Sequence, residues 1–419
     1  MQARRGIRWR IVWILFFSTT INYINRQTFS LLSPTISNEL HFSHEDLARI
    51  ISSFQIAYAG TWLLGGVLLD FIGVRWGLSL AVVWWSIASI FTGFANSVAS
   101  FSFFRFLLGI GEGLNWPGAS KVVAEWFPAR ERGIAVAIFD SGSSIGAAVA
   151  AVCIPFLSLA LGWRTTFAVS GVLGVVWLAF WWTQYRPRDG HPNLTAEEAA
   201  IIDEGIDLTT PKEPFLTALG KLWKNRNAWG ILLGRSLTDP MWWFYVFWLP
   251  QYLSDARGFS LKQIAAFAWI PFVAADIGNF TGGWVSGLLI KRGMPVLRAR
   301  KWICVVTCLP MFAGIPAVLV HSPFWAVFLI CVALWGYAAW STMGLTFPSD
   351  LFDQRVVGTV TGLSGFGAGM AGTGVTLAVG YIVDKFSYMP AFIFVSFLPL
   401  AATASVLLLI RQRSANARA

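Results

Sequence analysis

Twelve stretches of about 20 or more mostly apolar residues, parted by short polar breaks, constrain this chain more than anything else in it. At about 1.5 Å of rise per residue, each is long enough to cross a lipid hydrocarbon layer as a helix. Inside lipid every backbone N–H and C=O must find a partner within the segment, and a helix is the simplest solution. Helical spans are therefore predicted over 9–34, 46–69, 76–97, 101–125, 132–158 and 164–185, and again over 228–254, 262–290, 297–319, 323–346, 357–383 and 389–410. The fold class is an all-α membrane protein. Its domains are a six-helix half at 1–185, a polar central loop at 186–226, and a second six-helix half at 227–419.

Charge agrees with that reading. Only 12% of residues are charged and mean hydropathy is +0.61, whereas a soluble domain carries about 25% charged residues. The net charge of +10 does not point to nucleic acid, because the basic residues cluster between apolar runs and form no stripe with interleaved base-stacking aromatics. With both termini and the central loop in the cytoplasm, 23 Lys and Arg fall on that side, five on the other and three (Arg26, Arg105, Arg235) within spans. This bias predicts an inner-membrane protein with both ends inside. The first apolar run follows an Arg-rich start and lacks a small-residue cleavage site, so it is expected to be a retained first helix.

The two halves repeat each other. Gly65-Gly-Val-Leu-Leu-Asp70-Phe-Ile-Gly73-Val-Arg75 joins spans two and three, and Gly282-Gly-Trp-Val-Ser-Gly287-Leu-Leu-Ile-Lys291-Arg292 joins spans eight and nine. Phe127-Pro128, Arg132 and Ser141-Gly142 at span five recur as Phe347-Pro348, Arg355 and Ser364-Gly365 at span eleven. A parallel repeat of this kind places the substrate site between the halves, near the middle of the bilayer.

At Gly66-x-x-x-Asp70-x-x-Gly73-x-Arg75 the sequence resembles the loop signature of the major facilitator superfamily. The resemblance implies the major facilitator fold, with twelve transmembrane helices in two halves that this loop braces on the cytoplasmic side. Asp70 and Arg75 are the gating or structural residues it marks. Tyr23-Ile-Asn25-Arg26, Arg105-x6-Glu112, Glu125-Trp-Phe-Pro128-x-Arg130-Glu131-Arg132, Thr238-Asp-Pro240-x-Trp-Trp243-Phe-Tyr245 and Phe347-Pro-Ser-Asp350-Leu-Phe352 are similar to the anion:cation symporter family. The run in span seven looks most like the hexuronate transporters, which import galacturonate and glucuronate with protons. Two positions depart from the galactonate-type pattern. Asn25 stands where those relatives carry a titrating Asp, and Ser143 stands at a substrate-binding Gln. The first leaves Glu112 as the expected single coupling carboxylate. The second argues against galactonate.

An ionisable side chain within a span is costly and usually faces the bundle interior. Asn22, Tyr23 and Arg26 share a helix face, and a guanidinium fork fits a carboxylate bidentately. Arg26 is thus expected to bind the substrate carboxylate, with Tyr23 and Asn25 near the sugar hydroxyls; the alternative is that Arg26 pairs with an acid to hold helices together. Arg105 and Glu112, seven apart, lie on one face about 10 Å apart along the axis. Glu112 is expected to couple protons, while Arg105 either meets substrate, gates or pairs. An Arg105–Glu112 structural ion pair is the competing reading. Tyr58 either binds a hydroxyl or packs. Asp239-Pro240 is expected to interrupt span seven, with Arg235 bonding Asp239 four residues on in a gating or structural role. Asp140 and Asp276 stay open between sugar binding and pairing.

Most of the 23 Trp are expected to face lipid or the interface belt, with Trp242, Trp243, Tyr245, Trp335 and Trp340 as candidates to pack on a sugar ring. The glycines of span eleven (Gly358 to Gly374) suit close helix contact rather than a phosphate loop. Cys153, Cys304, Cys308 and Cys331 are expected to be free buried thiols, and the four His lie in loops or at span ends. Catalytic, metal and dinucleotide patterns are missing from the sequence, so neither an enzyme nor a bound cofactor is expected; the energy source would be a proton gradient. The expected partners are a small carboxylate sugar and the lipid bilayer, with no nucleic acid, and the chain is expected to act as a monomer. Rival readings are a carrier of an aldarate, aldonate or aromatic acid, a sensor built on the same fold, and a drug exporter, which three intramembrane arginines disfavour.

Overall fold

Apolar runs of this length become helices in the computed structural model, which describes residues 6–188, 191–192, 194–203, 215–352 and 354–411. Spans one to three are α1 (Ile7–Leu40), α2 (His44–Ile72) and α3 (Val74–Thr92). Span four is two helices, α4 (Val98–Glu112) and α5 (Asn115–Trp126), followed by α6 (Ala129–Leu161) and α7 (Trp163–Gln184). The central loop holds two short helices, α8 (Ala196–Asp203) and α9 (Phe215–Trp223). Span seven is α10 (Arg226–Asp255); span eight is α11 (Leu261–Phe267) with α12 (Ile270–Lys291); span nine is α13 (Val296–Met311) with α14 (Gly314–Leu319). The last three spans are α15 (Pro323–Leu351), α16 (Gln354–Lys385) and α17 (Tyr388–Leu409). No strand occurs among the described residues.

Three breaks correct the expected continuous spans, and proline explains their placement. A proline removes one backbone donor and its ring crowds the carbonyl four residues earlier. Pro117 lies four residues after Gly113, which caps α4; Pro271 lies four after Phe267, the end of α11; Pro316 lies four after Phe312, which caps α13. Span seven is the opposite correction. α10 runs unbroken through Pro240 and Pro250, because neighbouring packing and local adjustment can absorb a lost backbone bond in a membrane helix.

Nine helical segments among the described residues are long and apolar enough to cross a membrane. The spans outside that set are α1, α4 with α5, and α10. These three carry Arg26, Arg105 and Arg235. Their polar residues lower their hydropathy, so the weakest membrane signals mark the helices that carry the arginines within spans.

The chain divides into two compact units: Met1–Phe42 with Arg49–Thr209 and Leu261–Ala266, and Ser43–Ala48 with Thr210–Ser260 and Phe267–Ala419. In the first, α1 packs on α6 and α7, and α3 on α4 and α7. In the second, α10 packs on α16 and α17, and α13 on α15 and α17. The same four pairings thus occur in both, as the internal repeat requires. The repeated junctions also share a turn residue. Gly73 (φ 76°) separates α2 from α3, and Gly293 (φ 91°) lies between α12 and α13. Both sit in the region where a side chain is strained and glycine is not.

Within the first unit, small residues set the spacing of helices. A Cβ added at Gly109 would stand 2.5 Å from the Phe54 carbonyl oxygen, so α4 lies directly on the α2 backbone there. At the end of α1, Glu39 accepts hydrogen bonds from the Trp163 indole (2.7 Å) and Arg164 (2.7 Å) at the start of α7. These bonds, the Trp163 bond foremost, hold the Glu39 carboxyl below the usual carboxylate range. At the other end of α1, Glu198 of α8 is buried and accepts from the Ile7 and Arg8 amides and from the Arg8 guanidinium. Arg8 also pairs with Glu131 of α6 at 2.9 Å.

Tryptophan and cysteine placement refine the compositional expectations, the buried-thiol one failing at Cys153. Fifteen of the 23 Trp are exposed or half-buried, while eight are buried, with Trp85, Trp126, Trp181, Trp248 and Trp340 among the largest fully buried side chains. Several are brackets between helices: the Trp177 indole donates to the Ile14 carbonyl (2.7 Å) and the Trp181 indole to that of Arg75 (3.1 Å). All four cysteines are free; Cys304 and Cys308 are buried, Cys331 is half-buried, and Cys153 is exposed on the surface of α6.

Candidate functional site

The first unit gathers its costly groups at one place. Arg26, in the middle of α1, is completely buried, as is Glu112, the last residue of α4. The Arg26 Nε donates to Glu112 Oε2 at 3.0 Å, and Nη2 donates to Asn22 Oδ1 at 3.0 Å. The i,i+4 spacing of Asn22 and Arg26 makes the second bond possible. The guanidinium carbon stands 4.4 Å from the Tyr23 ring centroid, 4.5 Å from Tyr58 and 5.2 Å from Phe54, with the Tyr58 hydroxyl accepting a hydrogen bond from Arg26. A cation held over aromatic faces is partly compensated for its lost water.

Arg105 shares this environment. It is completely buried, its guanidinium carbon lies 4.7 Å from the Phe54 centroid and 5.2 Å from Phe29, and its Nη1 lies 3.5 Å from the Arg26 carbonyl oxygen. Its Nε and Nη2, like Glu112 Oε1, have no hydrogen-bond partner among the described residues. Glu112 makes its close ion pair with Arg26, not with Arg105. The competing reading of a close Arg105–Glu112 ion pair is therefore not met, although the two side chains share one environment. Two cations and one carboxylate stand together, and buried polar atoms of this kind ordinarily need a partner.

Asn25 is also completely buried. Its Nδ2 donates back to the Ile21 carbonyl at 3.1 Å, and its Oδ1 has no partner among the described residues. Ser143 is buried in α6. Of the expected substrate residues, Tyr23, Arg26, Tyr58, Arg105 and the coupling residue Glu112 thus form one cluster; the contacts of Asn25 and Ser143 do not tie them to it. The lower part of α1 is fixed by Asn115 at the start of α5, which accepts from Ser18 Oγ (2.6 Å) and donates to Thr19 Oγ1 (3.1 Å).

Asp70 pairs with Lys121 of α5, which also donates to the Leu69 carbonyl at 3.0 Å. Arg75 stacks 4.4 Å from the Trp182 ring centroid and donates to the Trp182 carbonyl at 3.1 Å. Both residues expected to be structural thus tie α2 and α3 to α5 and α7.

The second unit has its own polar centre. Arg235 Nη2 donates to Asp239 Oδ2 at 2.8 Å, as the sequence spacing predicts, and Nη1 donates to Ser364 Oγ of α16 at 3.2 Å. The Tyr337 hydroxyl of α15 donates to Asp239 Oδ1 at 3.3 Å, and Trp242 stacks on the Tyr337 ring at 5.7 Å. Ser364 and Tyr337 were not singled out from the sequence. Ser364 had a signal, since it recurs in the repeat at the position of Ser141.

The model of the Major Facilitator Superfamily matches residues 15–373. The hexuronate transporter of Escherichia coli K12 is 32% identical over 94% of this chain and 91% of its own length. The D-galactonate transporter of Escherichia coli O6:H1 is 28% identical over 96% and 95%, and the probable galactarate/D-glucarate transporter GarP of Escherichia coli K12 is 30% identical over 98% and 96%. Among solved structures, a bacterial homologue of the human lysosomal transporter Spinster matches with a TM-score of 0.71 at 18% identity, over 97% of this chain and 95% of that one. That likeness is one of fold.

Proposed function

This chain belongs to the major facilitator superfamily of membrane transporters, and from that premise we propose that it imports a sugar acid, a hexuronate, together with protons by alternating access. The observation that carries the proposal is the fully buried Arg26 guanidinium, held by Glu112 and faced by Tyr23 and Tyr58. Arg26 is the carboxylate receptor. Glu112 competes for it: while ionised, it occupies the Arg26 Nε, and once protonated it gives up most of that attraction and leaves the fork to the incoming carboxylate. Proton and uronate therefore bind together and leave together. Tyr23, Asn25, Tyr58, Ser143 and Arg105 offer hydroxyl, amide and cationic contacts around the sugar. The energy source is the proton gradient of the inner membrane, and the working unit is a monomer with both termini in the cytoplasm.

The substrate class rests on the relatives named above, whose printed substrates are hexuronates, galactonate and galactarate or glucarate. A second reading, an aldarate or aldonate carrier, draws on the same relatives; Ser143 in place of a Gln speaks against galactonate.

Purified protein in proteoliposomes decides between them. Labelled galacturonate should accumulate only with an inward proton gradient, and unlabelled galactarate or galactonate should compete weakly. Glu112→Gln should abolish gradient-driven accumulation and keep exchange of internal for external substrate. Accumulation indifferent to the gradient sinks the coupling, and stronger competition by an aldarate replaces the hexuronate.

A further inference from the structure

The second unit contains an imidazole set between two carboxylates, which the reading above does not use. His44, the first residue of α2 and ahead of its apolar run, places Nδ1 2.6 Å from Asp384 Oδ1 at the end of α16 and Nε2 2.9 Å from Asp255 Oδ2 at the end of α10. Both carboxylates accept further bonds. Asp384 takes the backbone N–H of His44 (3.1 Å) and of Glu45 (2.7 Å). Asp255 takes the Tyr388 hydroxyl of α17 (2.9 Å) and the Gln251 amide (2.9 Å). A carboxylate accepting from this many donors is ionised and cannot itself donate to the ring. A neutral imidazole has one N–H and can serve only one of the two acids; both contacts are satisfied only when the ring carries two protons.

The surroundings agree. The His44 ring stacks on Trp248 at 6.3 Å and meets Tyr388 edge-on at 5.9 Å. The charged and titratable groups that meet the ring are Asp255 on α10, Asp384 on α16 and Tyr388 on α17. Tyr252 lies behind Tyr388 at 5.4 Å between ring centroids, while Glu45 and Asp46 follow His44, and Lys385 follows Asp384, in sequence. Arg257 lies one contact further out, bonded to the Tyr252 hydroxyl at 2.7 Å. Glycine brings α16 close enough: a Cβ at Gly380 would stand 2.8 Å from the His44 carbonyl oxygen.

We propose that His44, Asp255, Asp384 and Tyr388 form a proton-binding site, and that its proton fixes the first turn of α2 against α10, α16 and α17. Loss of the proton leaves one carboxylate facing a ring lone pair, and the turn loosens. The site is separate from Glu112 and needs no particular substrate, so it stands or falls apart from the transport reading.

The chain has only four histidines, His41, His44, His191 and His321, which makes carbon-13 NMR of ring-labelled protein in nanodiscs a direct test. His44 should keep its proton to a higher pH than a free imidazole, about 6.5, and Asp255→Asn or Asp384→Asn should each weaken that hold by about tenfold, one pH unit. Amide exchange of residues 43–48, corrected for its intrinsic pH dependence, should accelerate as His44 deprotonates, and should lose this step in His44→Gln. Titration of His44 in the unmodified protein at or below the free-imidazole value of about 6.5 overturns the proposal without any variant. So does an exchange step that persists in His44→Gln.

Discussion

Arg26 shows how much one side chain can commit a helix to. A buried guanidinium costs far less when its donors and charge are met, and here Glu112 and Asn22 each meet one Arg26 donor at 3.0 Å. The fork, more than the charge, is what a carboxylate would read. Arg26→Lys keeps the cation and loses the fork, so we expect uronate affinity to fall by about tenfold or more, about 1.4 kcal/mol, with the thermal transition little changed. A binding isotherm by calorimetry checks this; an unaltered affinity removes Arg26 as receptor. Arg26 and Glu112 were each visible in the sequence as ionisable residues inside spans. Their partnership was not, because it joins residues 86 apart across two helices and no local spacing encodes such a contact. The seven-residue interval to Arg105 left a structural ion pair open as the competing reading, and the close pair instead forms with Arg26, because sharing a helix face does not fix where long side chains end.

At the scale of elements, the helices were legible and their interruptions were not. Pro117, Pro271 and Pro316 break their spans, whereas Pro34, Pro155, Pro240 and Pro250 sit within continuous helices. Proline supplies the local cost in every case. Whether the helix yields depends on what packs beside it, which a linear reading does not contain. The placement of α4 depends similarly on Gly109, and α4 carries both Arg105 and Glu112. Gly109→Val should push α4 away from α2 and cut uptake by at least tenfold while membrane insertion continues; normal uptake would mean the spacing does not matter. The pin between α1 and α7 has a pH limit. The Glu39 carboxyl titrates lower in the folded protein than unfolded, so its contribution is present above the unfolded value of about 4.3 and is lost as pH falls through the lower folded one. Glu39 is about half exposed, and the effect is accordingly small. The melting temperatures of Arg164→Gln and the unmodified protein should differ slightly at neutral pH and converge in acid, below about pH 4.

For the molecule as a whole, the spacing of apolar runs spoke clearly and reappears as the order of helices. The repeat was legible too, and it reappears as the same helix pairings in each unit and as the glycine turns at 73 and 293. The distribution of aromatics was less so, since an indole serves equally well at a lipid interface and as a bracket between helices. The basic bias predicts where the ends lie. A fluorescent protein fused to the C-terminus should fold and fluoresce, and alkaline phosphatase fused there should stay inactive; the reverse pattern would invert the topology.

Asn25 carries a last consequence. An amide in place of an acid leaves Glu112 as the one carboxylate in the proposed transport step. One proton and one singly charged uronate then cross as a pair with no net charge. Membrane voltage does no work on such a cycle, and accumulation would follow the chemical pH difference alone, stopping where the two concentration ratios match.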